Sequence, residues 1–193
     1  MAAEMIEVRW HGRGGQGAKT AALLFAQAVM ATGKYIQAFP EYGPERMGAP
    51  VQSFNRVSGE PITIHCGVTN PNFVVILDPT LIDTVDVVEG IGANGKVIVN
   101  TSFSAADIAA KLGIAKEQVY VVNASKIATE TIGRNIPNTP MLGALVKVIG
   151  DLDIKGVLDD TKKKLSVKFA KKPEVIDGNL TSIERAYNEV KNV

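Results

Sequence analysis

Residues 5 to 11, MIEVRWH, alternate: Ile6, Val8 and Trp10 fall on one side of an extended chain, Glu7, Arg9 and His11 on the other. A period of two predicts a strand, here with one face partly polar. Ala21, Leu24, Phe25, Ala28 and Val29 then recur at helical spacing, and Gly33 stands where that helix should stop. YIQAF (35–39) predicts a second short strand. VQSFNRVS and ITIHCGV lie on either side of Ser58-Gly59-Glu60-Pro61 and predict a hairpin about that turn. FVVILD (73–78), KVIVN (96–100) and VYVVN (119–123) are short apolar runs of the kind buried on both faces of a parallel sheet. Helix-sized segments separate them, over 79–90 and over 104–112, where Ser104 and Asp107 hold capping positions. Further helices are predicted over 140–149, 155–165 and about 181–192, the last opening with Thr181 and Glu184 in a capping-box relation.

Alternating strands and helices predict an α/β fold: a mostly parallel mixed sheet flanked by helices, with an antiparallel hairpin and a helical C-terminal third. No internal repeat, low-complexity tract or linker interrupts the pattern. The 193 residues are therefore expected to form one domain, 1–193.

Composition narrows the function classes. The 21 basic and 20 acidic residues nearly cancel, so nothing draws the chain to nucleic acid. Lys162-Lys163-Lys164 and Lys171-Lys172 are most simply solvated surface. No apolar run approaches the roughly 18 residues of a membrane span. The N-terminus, with Glu4 and no long apolar stretch, does not read as a signal peptide, so a cytoplasmic location is expected. Cys66 is the only cysteine, and an iron–sulfur cluster generally takes four. With His11 and His65 the only histidines, an all-protein zinc site is not expected either. Redox metal chemistry must then belong to another chain.

The candidate chemistry begins in GRGGQGAK, between the first strand and the first helix. Gly12, Gly14 and Gly17 satisfy G-x-G-x-x-G, with Gly15 beside them. A helix N-terminus presents unpaired amides and the positive end of its dipole, which suits a phosphate. Arg13 and Lys19 add cations there, and Lys19 sits where the dipole disfavours it unless an anion compensates. Gln16 adds an amide donor and acceptor. An anionic ligand is the expectation, against a purely structural turn. The match to a dinucleotide fold is partial: the acidic residue expected about 20 positions beyond the glycines has only Glu41, past Pro40, as a candidate. The 40–50 loop, PEYGPERMGAP, concentrates Glu41, Glu45 and Arg46 beside Tyr42 and Met47 among prolines, a composition suited to a partner contact or a site wall. Three apolar strands end on Asp78, Asn100 and Asn123, where α/β sheets gather ligands. For the two asparagines the structural role leads; for Asp78 the two roles balance.

GRGGQGAKTAALLFAQA, EYGPERMGAP followed by Ser53, ILD at 76–78 and VVNA at 121–124 occur in that order. Together they resemble the gamma subunits of the 2-oxoacid:ferredoxin oxidoreductases, with the pyruvate enzymes the nearest class, and the resemblance covers nearly the whole chain. It implies a complex that converts pyruvate, coenzyme A and oxidised ferredoxin into acetyl-CoA, carbon dioxide and reduced ferredoxin. Thiamine diphosphate with Mg and the iron–sulfur clusters would sit on companion alpha, beta and delta-type subunits, which agrees with the lone cysteine and the lack of a G-D-G…N thiamine signature. Carried over, Gly12, Arg13, Gly14, Gly15, Gln16, Gly17 and Lys19 would address the phosphates of coenzyme A, with Arg13 the first choice among the cations. Glu41, Tyr42, Glu45, Arg46 and Ser53 would face the shared active site or a subunit contact. No catalytic residue is expected on this chain, which should be inactive alone. Enzymes acting on indolepyruvate, 2-oxoisovalerate and 2-oxoglutarate use related chains, and a stand-alone dinucleotide-binding protein and a purely structural subunit are the alternative readings.

Overall fold

The computed structural model describes residues 5–41 and 48–193. The first strand, β1 (Ile6–Arg13), runs through the Gly12–Gly17 turn into α1 (Ala18–Met30). β2 (Tyr35–Pro40), β3 (Pro50–Ser58), β4 (Phe73–Ile76) and β5 (Lys96–Asn100) follow, then α2 (Ala105–Leu112) and β6 (Val119–Val122). α3 (Ala124–Ile132), α4 (Asn138–Ile149), α5 (Ile154–Lys168) and α6 (Pro173–Glu189) complete the chain. The strands form one six-stranded sheet in the order β2-β3-β1-β4-β5-β6. β1, β4, β5 and β6 are mutually parallel, and β3 is antiparallel to both of its neighbours.

Period-two patterning loads both faces. Val8, Trp10, Val75, Leu77, Ile98 and Val122 pack with α1, α4 and α6 on one side. Val74, Ile76, Val97, Val99, Val119 and Val121 pack with Leu81, Val87 and α2 on the other. From β1 the chain moves to one edge through α1, whereas β4, β5 and β6 advance to the opposite edge with α2 on the other face. This reversal sets a topological switch point between β1 and β4, where open α/β sheets bind ligands.

The face of β1 read as partly polar is nevertheless buried. Arg9, His11 and Arg56 are each 5% exposed or less. Arg56 pairs with Glu7 at 2.7 Å and donates to the Gly67 carbonyl at 2.9 Å. Arg9 donates to the carbonyls of Val87 and Glu89 at 3.2 and 2.6 Å. Two expectations fail here. Residues 62–68 are not the second arm of a hairpin, because both edges of β3 are already taken: Asn55 pairs with Val8 on one side and Ala38 on the other. The antiparallel partner that precedes β3 is β2. Nor is 79–90 a helix. A 3-10 turn, Pro79–Asp83, gives way to irregular chain rich in β-branched residues, whose carbonyls the buried Arg9 satisfies. The capping box expected at Thr181 is absent as well, since α6 opens eight residues earlier with Pro173 in its first turn. α3, which the pattern did not predict, starts at an Asn123 cap.

Candidate functional site

The glycine turn stands at the carboxyl end of β1, beside the switch point. Gly15 and Gly17 have φ of 98° and 83°, so the chain can reverse within a few residues and enter α1. A Cβ on Gly12 would come within 3.3 Å of the Ala18 Cβ, which shows how closely the helix start is drawn to the strand end. The ladder with β3 continues into the turn: the Gly14 amide donates to Ala49 O at 2.9 Å, and the Gly48 amide donates to Gly14 O at 3.2 Å. Gly48 and Ala49, at the end of the second stretch that sequence singled out, are thus brought beside the turn.

Side chains brace the turn. Gln16 Oε1 accepts from the Arg13 amide at 2.7 Å, while Gln16 Nε2 donates to Asp78 Oδ2 at 2.8 Å. The same carboxylate oxygen lies 3.2 Å from Arg13 Nε. Its other oxygen accepts from the Thr80 amide and hydroxyl at 3.0 and 2.6 Å. Arg13 also donates to Thr80 Oγ1 at 2.9 Å and to the Gly48 carbonyl at 3.2 Å. Burial works against the charged form of Asp78, but hydrogen bonds from Thr80 and Gln16, with the Arg13 charge, outweigh it and hold this carboxyl below its ordinary range. Asp78 is therefore the clamp of the turn, and the Arg13 charge that sequence put first for a phosphate is locally balanced.

The turn also leaves backbone donors without a partner among the described residues. The amides of Gly15, Gly17, Ala18 and Thr20 have no hydrogen-bond acceptor among the described residues, and α1 has no side-chain cap. Lys19 is exposed on the first turn of the helix. Beside Gly12, His11 is buried and neutral: burial first, then the nearby Arg9 charge, push its pKa down to about 3, against a hydrogen bond to the Val87 carbonyl.

Of the second set of predicted residues, Glu41 and Ser53 are described. Glu41 is exposed just beyond β2, with its amide donating to Gln52 O at 3.1 Å. Ser53 is buried within β3, opposite Trp10 and Pro40. Tyr42, Glu45 and Arg46 lie outside the described residues. Asn100 and Asn123 hold structure: the first joins Leu77 O and Ser125, the second caps α3. Sequence reasoning missed Thr80 and Asn138. An Asp-Pro-Thr turn could have pointed to Thr80. Asn138, flanked by Pro137 and two residues before Pro140, opens α4 against Gly17. Among the described residues no three His, Cys, Asp or Glu side chains gather as for a metal, and Cys66 is exposed and single. These residues do not fit an iron–sulfur cluster.

The profile of the family described as Pyruvate ferredoxin/flavodoxin oxidoreductase matches residues 7–189. Pyruvate synthase subunit PorC of Thermotoga maritima is 44% identical over 191 residues, covering 99% of this chain and 97% of that protein. The common gamma subunit of the pyruvate/ketoisovalerate oxidoreductases of Thermococcus litoralis is 46% identical over 168 residues, 87% of this chain and 91% of its own. The crystal structure of pyruvate oxidoreductase subunit PORC from Thermotoga maritima superposes with a TM-score of 0.84 at 43% identity, covering 97% and 98% of the two chains. A 2-oxoglutarate:ferredoxin oxidoreductase from Magnetococcus marinus, solved with 2-oxoglutarate, coenzyme A and succinyl-CoA, shares the fold at 19% identity and a TM-score of 0.74, over 96% of this chain and 31% of that one. The chain belongs to the pyruvate ferredoxin/flavodoxin oxidoreductase family, as a gamma-type subunit.

Proposed function

We propose that this chain binds coenzyme A at the Gly12–Gly17 turn and docks on companion subunits of a pyruvate:ferredoxin oxidoreductase. The observation that carries the reading is the uncapped start of α1, where free amides and Lys19 meet beside the switch point. Such a start attracts phosphate through its dipole and its unpaired donors. The Arg13–Asp78–Gln16–Thr80 brace then sets the shape of the turn, and the backbone does the holding. Among the described residues no group of three His, Cys, Asp or Glu side chains stands ready to hold a metal. The chemistry accordingly falls to partners of alpha, beta and delta type carrying thiamine diphosphate, Mg and iron–sulfur clusters, with ferredoxin as acceptor.

Sheet order favours coenzyme A over a nicotinamide dinucleotide. In a dinucleotide fold the acidic ribose contact ends the strand beside β1. Here antiparallel β3 occupies that place and β2 is one strand further out, so Glu41 is displaced from the turn. Pyruvate is the proposed 2-oxoacid. Because the gamma relative of Thermococcus litoralis is common to pyruvate and ketoisovalerate enzymes, its name supports the view that this subunit does not select the acid.

Calorimetric titration of the full chain with coenzyme A, NAD and NADP tests the site. Coenzyme A should bind tightest, and tighter NAD binding would overturn the assignment. Affinity purification from the native host tests the docking: thiamine- and cluster-binding chains should co-purify in fixed ratio, and a chain recovered alone would refute it.

A further inference from the structure

Ser104, Asn123 and Asp153 cap α2, α3 and α5 with their side chains, whereas α1, α4 and α6 have no side-chain cap. Of these three, α1 and α4 run side by side in one direction. At their starts, a Cβ on Gly17 would lie 2.7 Å from Asn138 Nδ2. Toward their ends, Phe25 and Val29 line a small cavity together with Ile149. Asn138 is only 9% exposed, yet its carboxamide makes no hydrogen bond to the side chain or backbone of another described residue. The described side-chain atoms sealed away without a partner are Arg9 Nε, His11 Nε2 and Thr161 Oγ1. The Asn138 carboxamide is not among them. A carboxamide with two donors is rarely left idle in so buried a place.

We propose that Asn138 donates its carboxamide N–H groups to a diphosphate bridge held between the first turns of α1 and α4. The inference rests on the coenzyme A reading and narrows it: the recognised group is the diphosphate linkage, not the 3′-phosphate or the pantetheine arm. One uncapped helix start suits one anionic group, while two converging starts with a neutral donor between them suit two linked phosphates. An asparagine fits this role where an aspartate would not, because a carboxylate would repel the ligand that both dipoles attract.

Calorimetry on the full chain with coenzyme A, 3′-dephospho-coenzyme A, pantetheine and inorganic pyrophosphate, with Asn138→Ala and Asn138→Asp alongside, tests it. Wild-type chain should bind coenzyme A and its dephospho form alike, and pantetheine not at all. Asn138→Ala should weaken coenzyme A and pyrophosphate on the order of tenfold, the loss of a charge-assisted hydrogen bond, and Asn138→Asp should weaken them further. A carboxylate at a helix start favours the helix, so the Asp variant should melt no lower than wild type, which separates binding from folding. If the Asp variant does not fold, the Ala variant carries the comparison. Unchanged coenzyme A affinity in the variants would overturn the role of Asn138 and leave the coenzyme A reading standing. Strong dependence on the 3′-phosphate would overturn the diphosphate assignment. Asn138-dependent pyrophosphate binding in a chain indifferent to coenzyme A would keep the diphosphate site and refute the ligand. Binding of neither would refute both.

Discussion

Neutral His11 makes the stability of this chain depend on pH. Its folded pKa is about 3 against an ordinary 6.5, so between those values the unfolded chain binds a proton that the folded chain refuses. Stability must then rise with pH across that window and fall as the solution is acidified from 6.5 toward 3, with no contribution above 6.5. The slope for one such group approaches about 1.4 kcal/mol per pH unit. Replacing His11 with glutamine keeps a polar side chain and removes the titration. Urea unfolding at pH 7, 5 and 4 should show His11→Gln losing less stability on acidification than wild type, whatever its stability at pH 7. Parallel acid limbs would show that another group carries the effect. Asp78 works in the opposite sense of charge: its depressed pKa means that the brace of the glycine turn is intact above the ordinary carboxylate range and loosens as pH falls through the folded value.

At the scale of elements, what could be read in the sequence was what local chemistry determines. β1, the glycine turn and α1 follow from a period of two, a cluster of small residues and a period of 3.6, all within a few turns of chain. The capping box of α2 was equally local: Ser104 and Asp107 occupy it as expected. Pairing is not local, and there the reading failed. Nothing between residues 50 and 68 reveals that Asn55 will sit between β1 and β2, accept from Trp10 Nε1 at 2.8 Å and donate to Ala22 O at 3.0 Å, leaving no edge for residues 62–68. Asn138 was hidden for the same reason, since only the packing of α4 along α1 gives it meaning. Close helix contacts make a second test of such long-range constraint. In α4 a Cβ on Gly143 would overlap the Ile183 carbonyl of α6, whereas in α5 a Cβ on Gly156 would meet only Asp153 Oδ2 at 3.8 Å. Alanine normally stabilises a helix over glycine by about 0.5–1 kcal/mol, so Gly156→Ala should raise the unfolding midpoint. Gly143→Ala should lower the midpoint and cost about 1–3 kcal/mol of stability, because a backbone carbonyl must move. Equal signs for the two in chemical denaturation would contradict the tight α4–α6 packing.

The whole molecule joins these scales through its topology. The sheet's β6 edge is closed by residues near the end of the chain: Lys191 bridges to Val121, and Asn192 donates to the carbonyls of Lys116 and Val119. The site lies at the other structural hinge of the fold, the switch point, and draws on β1, β3, β4, α1 and α4 together. It cannot survive in any fragment that loses one of them, so a ligand bound there recognises the folded chain alone and must stabilise it as a unit. At a hundred times its dissociation constant such a ligand adds about 2.7 kcal/mol. For a chain of 193 residues that corresponds to a rise in Tm of roughly 5–10 °C. Coenzyme A should produce that rise in a single cooperative transition, and Asp78→Ala, which frees the turn from its clamp, should reduce it more than it lowers the Tm of the unliganded chain. A melting curve that coenzyme A leaves unmoved at saturating concentration would mean that the amides at the start of α1 serve only the fold.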